Sequence, residues 1–92
     1  MKTNIYFIES GKEIKIGRSI DIERRLDELQ TSNSKRLKVL YVIEDVEELF
    51  EKHIHSICTA YHVRGEWFEK DVLNHLLKHP FFIENMKPYS VK

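Results

Sequence analysis

The stretch Thr3-Asn4-Ile5-Tyr6-Phe7-Ile8-Glu9, followed after a short break by Glu13-Ile14-Lys15-Ile16-Gly17, decides the fold. The first run is β-branched and aromatic, the second alternates apolar and polar residues, and Ser10-Gly11 between them is a turn signal. Together they read as a β-hairpin. A two-residue turn at Ser10-Gly11 pairs Glu9 with Lys12, which sets Phe7 against Ile14, Tyr6 against Lys15 and Ile5 against Ile16. Ile5, Phe7, Ile14 and Ile16 then share one apolar face, and a slip by one residue would mix apolar and charged positions on both faces. The opposite face carries Tyr6 beside Lys15. Their Cβ atoms are expected about 4.5–5.5 Å apart, and an ammonium so placed favours the phenolate. A solvated cross-strand pair is the plainer reading of the same two residues.

Working outward, Ser19 or Asp21 can cap a helix that runs to about Thr31 on Ile22, Leu26 and Leu29. Thr31-Ser32-Asn33-Ser34 is loop chemistry, and residues 37–43 (L-K-V-L-Y-V-I) form a third strand. A longer helix is expected from about Val46 to Ala60, with an apolar face of Val46, Leu49, Phe50, Ile54, Ile57 and Tyr61. A connection from Tyr61 to Phe68 follows. A short helix from Asp71 to Lys78 comes next, and Pro80 stops it. The order ββαβα plus a short C-terminal helix makes an α+β fold, a small three-stranded sheet flanked by helices.

Ninety-two residues imply one domain spanning 1–92, with its core at about 3–78 and a C-terminal tail at 79–92. A domain this small buries roughly 60–65% of the surface its unfolded chain exposes, so any site must be shallow and the substrate must lie on it. The single cysteine, Cys58, excludes an internal disulfide and fits a reducing compartment. No leader-like run opens the chain, and no apolar stretch approaches the ~20 residues of a membrane span. The expectation is a soluble, cytoplasmic protein. The net charge is zero, which weighs against a simple phosphate-coating protein. Charge is unevenly spread, however: residues 1–40 hold nine Lys/Arg against six Asp/Glu, and residues 41–92 hold six against nine, with all five histidines. A basic front and an acidic back suit a site that needs phosphate contacts and a metal-binding carboxylate.

Ile5-Tyr6, Ile14-Lys15-Ile16-Gly17-Arg18-Ser19 with Asp21, Arg25-Leu26, Gln30-Thr31, Glu51 with Ile54-His55, and Gly65-Glu66-Trp67-Phe68 form an ordered set. The set resembles the GIY-YIG nuclease superfamily. In particular it is similar to the short phage and bacterial branch with K-I-G in place of Y-I-G and a G-E-W-F motif. The resemblance spans about residues 4–75. It implies a metal-dependent endonuclease that hydrolyses phosphodiester bonds, with DNA the favoured nucleic acid and Mg²⁺ or Mn²⁺ the cofactor. Tyr6 matches the first-motif tyrosine, a general base or water-orienting group. Lys15 stands where many members have a second tyrosine, and would lower a pKa or hold the phosphate. Arg25 matches the arginine on the scissile phosphate, which a guanidinium fork meets bidentately. Glu66 matches the carboxylate that holds the metal, and His55 the histidine of the second helix.

The departures are Asn4 in place of the first-motif glycine, Leu29 where many members have a histidine, and no clear late asparagine, Asn74 and Asn85 both being candidates. A catalytically degenerate module that binds nucleic acid or protein is therefore the alternative. Arg18 and Arg64 are candidate nucleic-acid contacts or solvated side chains. His53 and His55, two apart on a helix, lie about 200° around it and cannot share a metal. His53 falls near the apolar face and is expected to be partly packed. A chain this short has little surface for reading sequence, so a homodimer or a partner protein is expected to supply specificity.

Overall fold

The computed structural model describes residues 1–89. Residues 90–92 of the expected tail lie outside the described residues. The elements are β1 (Lys2–Ser10), β2 (Glu13–Ser19), α1 (Ile22–Thr31), β3 (Leu37–Glu47), α2 (Leu49–Ile57), β4 (His62–Arg64), β5 (Trp67–Glu69), α3 (Val72–Leu76), α4 (Pro80–Asn85) and β6 (Lys87–Pro88). They build one antiparallel sheet in the order β4-β5-β2-β1-β3-β6. The fold is α+β as expected, but the sheet has six strands rather than three. The three expected strands form its centre. The additional strands come from the Tyr61–Phe68 connection and from the tail; each is only two or three residues long, too short for a periodic signal.

The hairpin register differs by two residues from the expected one. Tyr6 pairs with Gly17, Phe7 with Ile16, Ile8 with Lys15 and Ser10 with Glu13. The turn is therefore Gly11-Lys12. Gly11 has φ +59° and no other residue of the turn has positive φ, as a hairpin turn with glycine at its first central position requires. Because side chains alternate with period two, the shift preserves every face. What it changes is who meets whom across the strands.

Both faces of the central strands are covered. On one side Ile5, Phe7, Ile14, Ile16 and Ile43 pack with Ile54, Cys58, Phe68, Val72, Leu76, Phe82 and Met86. On the other, Tyr6, Ile8, Leu37, Val39 and Val42 pack with Ile22 of α1, and Leu26 and Leu29 close around them. This explains the unbroken I-Y-F-I run of β1, since a strand buried on both faces need not alternate. The expectation of a solvated Tyr6 face is corrected accordingly: Tyr6 is 1% exposed and Ile8 fully buried.

β3 runs on to Glu47, which displaces the expected start of the second helix at Val46, because Lys2 and Thr3 pair with Glu47 and Val46. The β1–β3 ladder slips between Thr3 and Ile5. There Asp45 takes φ 57°, and its N–H donates to Asn4 Oδ1 at 3.1 Å. Asn4, which departs from the glycine of the first motif, satisfies this bulge. Leu49 is consequently exposed rather than packed, and Ile54 carries the buried face of α2. Pro80 does not merely end α3; it opens α4 at its first turn, where a missing N–H costs nothing.

Burial pushes the Cys58 thiol up to about 11 from 9.0. The unfolded thiol ionises first, so from this group stability is unaffected below pH 9 and falls as pH rises from about 9 toward 11. Alkylation at pH 8 should be undetectable in the folded protein and immediate in denaturant. Ile54→Ala should cost about 2–5 kcal/mol in chemical denaturation, whereas the exposed Ile20→Ala should change stability by less than about 0.5 kcal/mol.

Candidate functional site

The first two strands meet the starts of α1 and α2 and the β4–β5 turn at a cleft of about 470 Å³. Thr3, Tyr6, Arg18, Ser19, Ile20, Arg25, Glu48, Glu51 and Glu66 line it. Tyr6 reaches it because its partner in β2 is a glycine. A Cβ placed on Gly17 would lie 2.4 Å from Tyr6 Oη and 2.5 Å from Cζ. No side chain fits there, so the ring lies across the β2 backbone. Lys15 is opposite Ile8, not Tyr6. The expected effect of Lys15 on the phenol is corrected by this register: burial raises the Tyr6 pKa above 10.0, offset in part by a hydrogen bond from Arg25. Tyr6 is therefore a neutral phenol at ordinary pH.

Arg25 is placed by α1. Asp21 caps that helix, accepting from the Arg24 N–H at 3.1 Å, and Ser19 Oγ both donates to the Asp21 carbonyl and accepts from its N–H. Ile22, Leu26 and Leu29 hold the helix on the Tyr6 face. Arg25 then lies against the phenol and pairs with Glu28 at 3.5 Å. Its pKa is raised above the usual value, first by the hydrogen bond to Tyr6.

Glu66 sits in the two-residue turn Gly65-Glu66 between Arg64 and Trp67. Its carbonyl accepts from the Ile16 N–H at 3.0 Å, which ties the turn to β2. Its carboxylate meets Lys15 Nζ at 3.3 Å, and Lys15 lies over the Trp67 ring, 5.3 Å from its centre. Phe68 enters the core beneath.

Of the residues singled out in the sequence, the fold brings Tyr6, Arg18, Arg25 and Glu66 to the cleft, and Lys15 joins it through Glu66. His55 is not among the lining residues. Its Nε2 is 2.8 Å from the Ile16 carbonyl, and its ring packs edge-on against Phe68, so it ties α2 to β2. Arg64 pairs with Glu13 at 3.1 Å and stacks near Trp67, away from the cleft. His53, expected to be partly packed, is exposed beside Phe50. Asn74 reaches only Asp71, and Asn85 bonds the Phe81 carbonyl. Neither lines the cleft.

The sequence reading assigned no site role to Glu51 and Glu48. Glu51 is only 9% exposed, and burial raises its pKa above the usual carboxylate value, with Glu66 the next cause. Oε1 is 3.5 Å from Arg18 Nε, while Oε2, among the described residues, has no hydrogen-bond partner. Glu48 binds Arg18 Nη1 at 2.8 Å. A signal was present in the sequence: Glu51 lies on the same α2 stripe as the buried Ile54 and Cys58, at i, i+3 and i+7, where a charge is out of place. Among the described residues, no group of three or more His, Cys, Asp or Glu is arranged to hold a metal ion.

Fold and cleft define an α+β domain that gathers a buried phenol, two guanidinium groups and three carboxylates at one end of its central hairpin. The chain belongs to the T5orf172 domain family, whose model matches residues 3–80. No curated protein and no solved structure matches it. Among the described residues, no helix is long and apolar enough to cross a membrane.

Gly17→Ala should destabilise the protein by about 1–3 kcal/mol through overpacking against Tyr6. The penalty should largely vanish in a Tyr6→Ala background, a coupling that a double-mutant cycle in urea measures directly.

Proposed function

We propose that this protein is a metal-dependent endonuclease that hydrolyses phosphodiester bonds in nucleic acid, with DNA the first substrate to test. The observation that carries the reading is the convergence of Tyr6, Arg25 and Glu66, three residues distant in sequence, on one cleft. The resemblance to GIY-YIG nucleases assigns roles to the same three. The nuclease-like relationships of T5orf172 domains, which occur in phage and bacterial proteins, support the same class of activity.

The charge of the cleft supports a cation requirement. Arg18 and Arg25 stand against Glu48, Glu51 and Glu66, and Lys15 pairs with Glu66, which leaves no surplus positive charge in a site meant for an anion. A phosphodiester gains little net attraction there unless a cation joins the site. The residues fit such an ion. Mg²⁺ commonly takes one or two protein carboxylates and keeps several waters, and Glu51 Oε2, in the same cleft as Glu66, has no hydrogen-bond partner among the described residues. When bound, the metal supplies Lewis-acid stabilisation of the phosphate and of the departing oxygen.

The protein's own groups do the rest. Arg25, half-exposed at the cleft and already oriented by Tyr6 and Glu28, meets the non-bridging phosphate oxygens. The neutral Tyr6 hydroxyl orients the attacking water; its burial favours this role over that of a general base. Lys15 neutralises Glu66 while its own ammonium rests over the Trp67 ring. Water adds to phosphorus, and the ester oxygen leaves with a proton, giving a phosphomonoester end and a hydroxyl end.

A binding-only module is the second reading, favoured by one observation. Leu29, where many GIY-YIG members have a histidine, is packed against the core beside Tyr6 and supplies no polar group.

Supercoiled plasmid separates the two. Wild type should nick it with Mg²⁺ or Mn²⁺ and not in EDTA. Glu66→Ala should be inactive, and Arg25→Ala slower by about 100- to 1,000-fold. Salt-dependent DNA binding with no nicking in either metal would overturn the catalytic reading in favour of the binding module.

A further inference from the structure

From the buried carboxylate at the back of the cleft we infer that Glu51 is a second protein ligand, so that the divalent cation sits between Glu51 on α2 and Glu66 in the β4–β5 turn. The inference rests on the proposed metal site at Glu66 and deepens it. A single carboxylate in a turn is a sufficient anchor but leaves the direction of the ion open. A second one from a helix fixes where the ion sits relative to Tyr6 and Arg25.

Three observations carry it. First, Glu51 is 9% exposed, lines the cleft, and has one oxygen, Oε2, without a hydrogen-bond partner among the described residues. A buried polar atom left unpaired is costly, and this one belongs to a side chain that lines the cleft. Second, its polar surroundings are incomplete in one particular sense. Arg18 Nε approaches Oε1 at only 3.5 Å, and the same guanidinium spends its shorter contact, 2.8 Å, on Glu48. Glu51 thus holds the weaker share of one shared arginine. Third, another carboxylate, Glu66, lines the same cleft and is among the causes that raise the Glu51 pKa, after burial. Two carboxylates sharing a half-buried cleft repel unless a cation or a proton lies between them. Lys15 serves Glu66 through Oε1; among the described residues, Glu51 Oε2 has no hydrogen-bond partner. Paired acidic oxygens with room for water suit a hard divalent ion of the Mg²⁺ or Mn²⁺ kind.

The arrangement also gives His55 a positioning role. One turn beyond Glu51 on α2, it fastens that helix to the Ile16 carbonyl, and the Ile16 N–H in turn holds the Glu66 carbonyl. A single residue of β2 therefore sets the spacing of the two proposed ligands.

Manganese binding without nucleic acid tests this. The full chain is titrated with Mn²⁺, free ion is read by electron paramagnetic resonance, and the rise in Tm on adding Mn²⁺ is recorded for wild type, Glu51→Gln and Glu66→Gln. Wild type should bind one Mn²⁺, and each variant should bind at least about tenfold more weakly, since affinity at such sites follows ligand charge count. Each should also lose most of the Mn²⁺-dependent rise in Tm. Wild-type affinity in Glu51→Gln with weakened binding in Glu66→Gln overturns the second ligand and leaves the Glu66 site standing. Wild-type affinity in Glu66→Gln, or no saturable binding by wild type, overturns both. Should Glu51→Gln not fold in EDTA, Glu51→Asp keeps the charge but withdraws the carboxylate by one methylene; it should show the same weakening, and wild-type affinity there would overturn the inference.

Discussion

Everything at the cleft depends on one close approach, the Tyr6 ring lying over Gly17. Tyr6 belongs to β1, which has a neighbour on each side and a core on each face. Such a residue would ordinarily be filler. It becomes a functional group only because the opposing residue lacks a side chain, so the phenol can cross β2 and bring its hydroxyl to the cleft. The same crossing gives α1 its seat. Ile22, Leu26 and Leu29 pack where the ring and Ile8 make the sheet surface apolar, and Arg25, on the flank of that helix, meets the hydroxyl. A glycine thus clears the path of the phenol to the cleft and to the first hydrogen bond of the site.

The same geometry explains what the sequence could and could not disclose. Alternation in Glu13–Gly17 and the i, i+4, i+7 pattern of Ile22, Leu26 and Leu29 are strong periodic signals, and β1, β2, β3 and α1 stand where they indicate. The face assignment of the hairpin was recoverable because parity survives a two-residue shift; the register was not, because it turns on which central turn position takes Gly11. Tyr6 and Lys15 were read as direct partners, and they are separated by that shift. β4, β5 and β6 carry too few residues for any period, and their pairing comes from tertiary placement, with β5 held by β2 and β6 by β3. Tyr6, Arg18, Arg25 and Glu66 were legible through motif order. Glu51 was quoted within a motif, but its meaning lies in burial, which only the folded chain supplies.

Under the proposed function, a neutral protein would carry a site for a polyanion. Its cations are not free: Arg18 is shared by Glu48 and Glu51, Arg25 is held by Tyr6 and Glu28, and Lys15 by Glu66. Each guanidinium or ammonium is oriented before any ligand arrives, which lowers the entropic cost of using it. Surface charge does little to attract nucleic acid here, since the chain sums to zero. Selectivity for phosphate would then come from the local balance of the cleft, and with Lys15 counted that balance holds no positive charge to spare.

That lack of surplus positive charge bears on why a small domain keeps a carboxylate in α2 where an apolar residue would pack. Glu51 lies in line with Ile54 and Cys58, both fully buried. An isosteric apolar replacement would remove an unpaired oxygen and the repulsion from Glu66, and by the usual accounting it would stabilise the fold. A chain with a single modest domain's worth of buried surface has little stability to give away. Local rules broken without a structural return mark functional positions. The return here is located by four neighbours: Glu66, Tyr6 and Arg25 line the same cleft, and His55 fixes the Glu51 helix to β2. A position that costs the fold is thus one from which a bound cation would share the cleft with both the phenol and the arginine.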